Sequence, residues 1–312
     1  MLENINNLRI GTMNGNFSLT SLVWVCSFYL IVWTPGSAYA QSPVPTLFSA
    51  EDNKVYTLIW SDEFDNGNKP DSSNWSYEIG FVRNNELQYY QEDNAAVQQG
   101  LLIIEGRREK ATNQKFDPNS QDWRRNSEFS QYTSSSINTR GKMEFQYGIV
   151  EVRAKIDTAM GMWPAIWTLG VSKPWPSNGE IDVMEFYRRN DNAFILANAA
   201  WKGTQPSVLW DEAKFKIEGF IEKNSNWPNE FHVWTMDWNE GRILLYLDGE
   251  LLNEIDLSKT INPDGFNPFH QPHYLLLNLA IGSNGGDPSN TLFPKTYEVD
   301  YARVFQQKII TQ

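Results

Sequence analysis

From Lys54 onward, apolar residues return at every second position in short runs, the spacing of strands that bury one face. Segments 97–107, 141–156, 231–238, 242–255, 274–281 and 297–305 carry the pattern and are predicted strands. Turn formers separate them. Asn239-Glu240-Gly241 and Asp248-Gly249 bracket a hairpin strand, and 282–288 is a glycine-rich loop. No segment keeps a helical period over about ten residues. The polar stretches 113–131 and 202–230 are expected to be long surface loops. Many short strands with Gly, Asp and Asn turns predict an all-β sandwich, two antiparallel sheets burying their facing sides.

The N-terminus follows a different rule. Residues 19–33 form a nearly uninterrupted apolar run, followed by Pro35-Gly36 and then Ala38-Tyr39-Ala40. This reads as a signal peptide, 1–40, cut after Ala40 and directing the chain to the periplasm or the medium. The stretch before the run carries Glu3 and Arg9 and lacks the usual positive excess. A retained anchor is disfavoured because the run is shorter than the ~20 residues a spanning helix needs. The remainder divides into a short lead, 41–53, and one folded domain, 54–312. Cys26, the only cysteine, falls in the removed segment, so the mature chain is expected to form no disulfide and no thiolate metal site.

Composition narrows the partners. The 312 residues are 41% hydrophobic and 21% charged, ordinary for a folded protein. A formal net charge of -12 repels nucleic acid and anionic membranes, and leans weakly against polyanionic substrates. His232, His270 and His273 are the only histidines, and none adjoins a nucleophile elbow. Zinc spacings and phosphate loops are missing.

Chemistry concentrates in Gly179-Glu180-Ile181-Asp182-Val183-Met184-Glu185-Phe186. In an extended strand Glu180 and Asp182 share one face, while Ile181 and Val183 point into the core. Glu185 has the wrong parity, and a single β-bulge near Val183 or Met184 restores it. Glu180 and Glu185 are then four effective steps apart, roughly 13 Å along the backbone at ~3.3 Å per residue. Inclined side chains close most of that gap, toward the ~5 to 5.5 Å of double-displacement glycosidases. Three carboxyls on one face cannot all ionise comfortably, so at least one is expected to keep its proton at neutral pH. This assigns Glu180 as ionised nucleophile, Glu185 as acid and later base, and Asp182 as the group that tunes them. Solvated acids on an exposed strand are the alternative.

These residues resemble the signature of glycoside hydrolase family 16, the laminarinase-like enzymes, in its bulged form Glu-Ile-Asp-x-x-Glu. The likeness continues through Trp60-Ser61-Asp62-Glu63-Phe64, Asn85-Glu86-Leu87-Gln88-Tyr89-Tyr90, Tyr147-Gly148-Ile149-Val150-Glu151-Val152-Arg153, Trp163-Pro164-Ala165-Ile166-Trp167, Leu277-Asn278-Leu279-Ala280-Ile281-Gly282 and Val299-Asp300-Tyr301. The resemblance implies a concanavalin-type jelly roll with an open concave cleft. Asn85, Trp163, Trp167, Trp175 and Asn278 would then contact sugar, since indole faces stack on pyranose C–H faces and amides bind hydroxyls. It also implies a structural calcium held by backbone oxygens of Glu63 and Gly100 and the carboxylate of Asp300, with no cofactor needed for catalysis.

Two departures bear on the sugar. Laminarinase-type sequences place a histidine in the strand after the signature, where this chain reads Leu196-Ala197-Asn198-Ala199-Ala200-Trp201. The segment His270-Gln271-Pro272-His273 is also distinctive; both segments are expected near the donor side of the cleft, while Arg188 and Arg189 either bind a substituent or are solvated. The expected activity is retaining endo-hydrolysis of β-1,3-glucan or mixed-linkage β-glucan by a monomer. The alternatives are a β-galactan or lactosamine-type glycan hydrolase, a transglycosylase, and a non-catalytic lectin on the same fold.

Overall fold

The two-residue alternation becomes two stacked antiparallel sheets in a computed structural model that describes residues 46–49, 54–189 and 192–307. One sheet has the strand order Val208–Lys216, Asn192–Lys202, Glu180–Arg189, Met162–Gly170, His273–Ile281, Ser136–Asn138 and Ser76–Tyr77, with Glu144–Phe145 also paired to His273–Ile281. Its open face carries the three acids, and we call it the cleft sheet. The outer sheet runs Thr46–Ser49, Lys54–Asp62, Lys295–Gln307, Gly148–Lys155, His232–Trp238, Arg242–Leu247 and Glu250–Asp256, with Leu101–Gly106 and Ala95–Gln98 branching from Lys295–Gln307.

Between the sheets lies one apolar core. Trp234, Met236 and Leu245 enter it from the outer sheet, and Ile166, Ile181, Met184, Ile195 and Leu277 from the cleft sheet, all fully buried. Each such aliphatic side chain contributes ~1.5–3 kcal/mol relative to exposure. The two α-helices, Trp123–Asn126 and Ile217–Lys223, are short, as the lack of a helical period requires. Predicted segments 97–107 and 242–255 each divide into two hairpin arms. Their turns, Gln99-Gly100 and Asp248-Gly249, have φ of 53° and 74°, and 49° and 80°, the paired left-handed conformation that matches strand twist.

The structure corrects one expectation here. Segment 202–230 is not a loop: it contains the edge strand Val208–Lys216 and the helix Ile217–Lys223. Charged residues alternate with Leu209 and Phe215, which pack against the core, so the strand's polarity belongs to its other face. Segment 113–131 is mostly irregular, with the four-residue helix Trp123–Asn126, capped by Asp122, and the short strand Phe129–Ser130. The signal segment 1–40 and Cys26 lie outside the described residues. Within the lead, Thr46–Ser49 pairs with the start of Lys54–Asp62, from Thr46 opposite Thr57 to Ser49 opposite Lys54, so the sheet begins ahead of Lys54. Among the described residues no helix is long and apolar enough to cross a membrane.

Candidate active site

The carboxylate strand Glu180–Arg189 carries the bulge that its sequence requires. Asp182 lies opposite Asn198 and Glu185 opposite Leu196, so two residues, Val183 and Met184, lie between the pairs on one strand against one, Ala197, on its neighbour. On the other side Asp182 faces Trp167, Met184 faces Ile166 and Glu185 faces Ala165, so Val183 is the extra residue there. The cause is burial. Val183 and Met184 both sit fully in the core, whereas strict alternation would push one of them into the cleft. Burying an additional side chain of this size contributes ~1.5–3 kcal/mol, which outweighs the ~1 kcal/mol of a lost ladder hydrogen bond. Glu180, Asp182 and Glu185 consequently share the cleft face. Opposite Glu180 and Glu185 stand Leu169 and Ala165, the four-step separation expected of a bulged strand.

Each glutamate is held by an indole. Trp175 Nε1 donates to Glu180 Oε2 at 2.8 Å, and Trp163 Nε1 donates to Glu185 Oε1 at 3.0 Å. Asp182 is fully buried between them, receives the side-chain amide of Asn198, and leaves Oδ2 without a partner. These surroundings separate the three acidities. Burial, followed by repulsion from Glu185 and Glu180, raises Asp182 well above the usual carboxylate range. Burial, then the charge of Glu180, pushes Glu185 up to about 8. Burial also raises Glu180, but the Trp175 N–H, the Asp182 hydrogen bond and the nearby Arg83 guanidinium oppose it. The arrangement therefore raises all three acids but unequally, with Asp182 held well above the carboxylate range, Glu185 at about 8 and Glu180 opposed by an indole N–H, Asp182 and Arg83, side by side on one surface.

The cleft above them has a volume of about 870 Å³. Trp163, Trp167, Trp175 and Asn278 all line it. Trp167 is already engaged: its Nε1 donates to Asn278 Oδ1 at 2.7 Å, Asn278 Nδ2 donates to Tyr90 Oη at 3.1 Å, and the Arg83 guanidinium lies 4.9 Å from its ring centre. Asn85 is exposed and is not among the lining residues, whereas its neighbour Asn84 is. Of the two arginines after the strand, Arg189 lines the cleft and Arg188 donates to Thr158 O. His270-Gln271-Pro272-His273 lies away from the cleft, contrary to expectation. His273 is fully buried between Thr168 Oγ1 and Pro268 O, and His270 reaches Glu240 O instead. Gln271 serves the site indirectly. It bonds Ser172 N, Asn178 O and Pro268 O, which pins both ends of the loop that carries Trp175.

The Glycosyl hydrolases family 16 model matches residues 96–303, which include the bulged strand and both flanking tryptophans. The chain belongs to that family. It is a glycoside hydrolase acting on O-glycosyl bonds, on a two-sheet jelly roll. Glucan endo-1,3-beta-glucosidase A1 of Niallia circulans is 33% identical over 303 residues, covering 86% of this chain and 42% of that protein. The beta-glucanase of Rhodothermus marinus is 33% identical over 269 residues, covering 80% of this chain and 85% of that protein. The fold also superposes, at a TM-score of 0.73 and 33% identity, on a structure described with endo-acting O-glycanases that members of the human gut microbiota express to initiate mucin breakdown; the match covers 81% of this chain and 91% of that one.

In the calcium ligand set suggested by the family likeness, the carboxylate donor is already engaged. Asp300, its single carboxylate, accepts from Arg153 Nη1 at 2.6 Å, so a cation there would compete with a guanidinium. Gly100 sits in a positive-φ turn with Asp65 beside it. Among the described residues no group of three or more His, Cys, Asp or Glu gathers to hold a metal.

Several cleft residues escaped the sequence reading. Arg83 immediately precedes the Asn84-Asn85-Glu86 run, and Glu86 is buried with Asn84 and Gln88 donating to its carboxyl. Asn198 lines the cleft, as expected of its segment, whereas Trp210 and Glu212 come from the edge strand and could be found only once that strand was known.

Proposed function

We propose that this enzyme cuts internal bonds of β-1,3-glucan or mixed-linkage β-glucan with retention of anomeric configuration. The observation that carries the reading is the bulge: it gives Glu180, Asp182 and Glu185 one face and unequal environments. Glu185, protonated at neutral pH, gives its proton to the glycosidic oxygen while the Glu180 carboxylate attacks the anomeric carbon. A glycosyl ester on Glu180 results. Water then attacks the same carbon as Glu185 takes back a proton, and the second inversion restores the configuration. Asp182, kept neutral by burial, donates a hydrogen bond that holds Glu180 in line and stabilises its charge.

The two relatives named for glucan hydrolysis support the substrate class, as do the indoles above the acids. A lectin would have no use for a carboxyl kept protonated beside an ionised one. The similarity to the O-glycanase structure favours lactosamine-type glycans as a second substrate reading. The apolar run at 19–33 and Ala38-Tyr39-Ala40 support export, and the acidic surface supports a monomer that binds no nucleic acid.

The test is a product profile on laminarin, lichenan, agarose and poly-lactosamine, with the first-formed anomer read by proton NMR. Release of β-anomers from laminarin or lichenan is expected, and first-formed α-anomers would overturn the mechanism. Glu180→Ala should abolish turnover while leaving binding. Glu185→Ala should spare aryl glycosides with activated leaving groups far more than polymer, and equal loss on both would remove Glu185 as the acid.

A further inference from the structure

The edge strand Val208–Lys216 carries a feature that the three acids do not use. Residues paired across antiparallel strands face the same side of a sheet. Leu169 pairs with Glu180, Glu180 with Ala200, and Ala200 with Trp210, so one straight row runs from Glu180 to the sheet edge. Ala200 is fully buried and too small to block the floor between them. Trp210 is 48% exposed and lines the same cleft, although Leu209 and Phe215 on its strand pack inward. Its exposed ring surface is apolar area that a ligand can cover.

Two strand spacings of ~4.8 Å set Trp210 about 10 Å from Glu180, farther than a single pyranose ring reaches. Trp175, bonded to Glu180, occupies the near position, so Trp210 meets a more distant sugar. The rim beside it is polar. Arg189 lies 4.0 Å from Glu212 and donates to Tyr187 Oη at 3.1 Å, and all three line the cleft. An indole face with hydrogen-bonding groups at its edge is the receptor chemistry of a neutral pyranose.

We infer that Trp210 is a distal subsite that stacks a neutral sugar of the bound chain, with the Arg189–Glu212 pair at its rim, and that it sets the preference for long substrates. This rests on the polysaccharide reading above. The experiment compares kcat/KM for laminarihexaose and laminaritriose in the wild type, Trp210→Ala and Trp210→Phe. The ratio of hexamer to trimer should fall about tenfold in Trp210→Ala, mostly through KM, and recover partly in Trp210→Phe. An unchanged ratio, or one equally low in both variants, overturns the subsite. Affinity gel electrophoresis of Glu180→Gln and Glu180→Gln/Trp210→Ala in laminarin, lichenan, agarose or poly-lactosamine reads binding without hydrolysis. If the wild type cleaves nothing but the double variant migrates faster than the single one in any of these gels, the subsite stands and the catalytic reading falls. If none retards the Glu180→Gln protein, both fall.

Discussion

Replacing Trp163 by Phe tests the electrostatic division of labour through one hydrogen bond. In the folded protein Trp163 Nε1 donates to Glu185 Oε1 at 3.0 Å, and this bond favours the ionised form of a carboxyl otherwise pushed up to about 8 by burial and by Glu180. Phenylalanine keeps an aromatic ring near Tyr187, whose centre lies 6.3 Å from that of Trp163, but has no donor. A hydrogen bond to a charged group is worth ~1.5–3 kcal/mol, and a pKa unit corresponds to ~1.4 kcal/mol. Water reaching the cleft replaces part of the lost bond, so the Glu185 pKa should rise by about one unit. A general acid works while protonated. Activity therefore falls as pH climbs through this pKa, and the basic limb of the kcat/KM profile should move to higher pH by about one unit. The acid limb belongs to Glu180, whose hydrogen-bond partner is Trp175, and should stay in place. Measurement on laminarin across a constant-ionic-strength buffer series reads both limbs. A basic limb that stays put or moves to lower pH would refute Glu185 as the proton donor.

Three further outcomes follow from the same structure. Glu185→Gln should raise Tm at pH 8 but not at pH 4: a pKa lifted from 4.5 to about 8 by folding costs stability progressively as pH rises between those values. Allowing for its partial exposure to the cleft, the gain is on the order of 1–3 kcal/mol, and an equal gain at both pH values in differential scanning fluorimetry would contradict it. Gln271→Ala should loosen the Trp175 loop, weaken the N–H bond that lowers the Glu180 pKa, and move the acid limb upward; an unshifted limb would show that the loop is held by other means. Millimolar calcium should leave Tm unchanged because Arg153 already neutralises Asp300, and a rise that disappears in Asp300→Asn would show that the ion displaces the arginine.

What the sequence by itself determined is local. Alternating apolar positions specify strands, Asp248-Gly249 specifies a left-handed turn, and the adjacent pair Val183-Met184 between two acids demands a bulge, because two buried side chains outweigh one ladder bond. The cleft face of Glu180, Asp182 and Glu185 was therefore readable without coordinates. Its acidities were not. They depend on Trp175 from a loop, Trp163 and Asn198 from neighbouring strands, and Arg83 from far upstream. Strand Val208–Lys216 stayed hidden because an edge strand with one polar face has the composition of a loop, and with it went Trp210. His273 looked like cleft chemistry, but its parity within His273–Ile281 turns it into the core, against Trp238 and Phe269. Parity and propensity are properties of a short stretch of chain. Which side chains share a dielectric environment is decided only when distant strands are laid side by side.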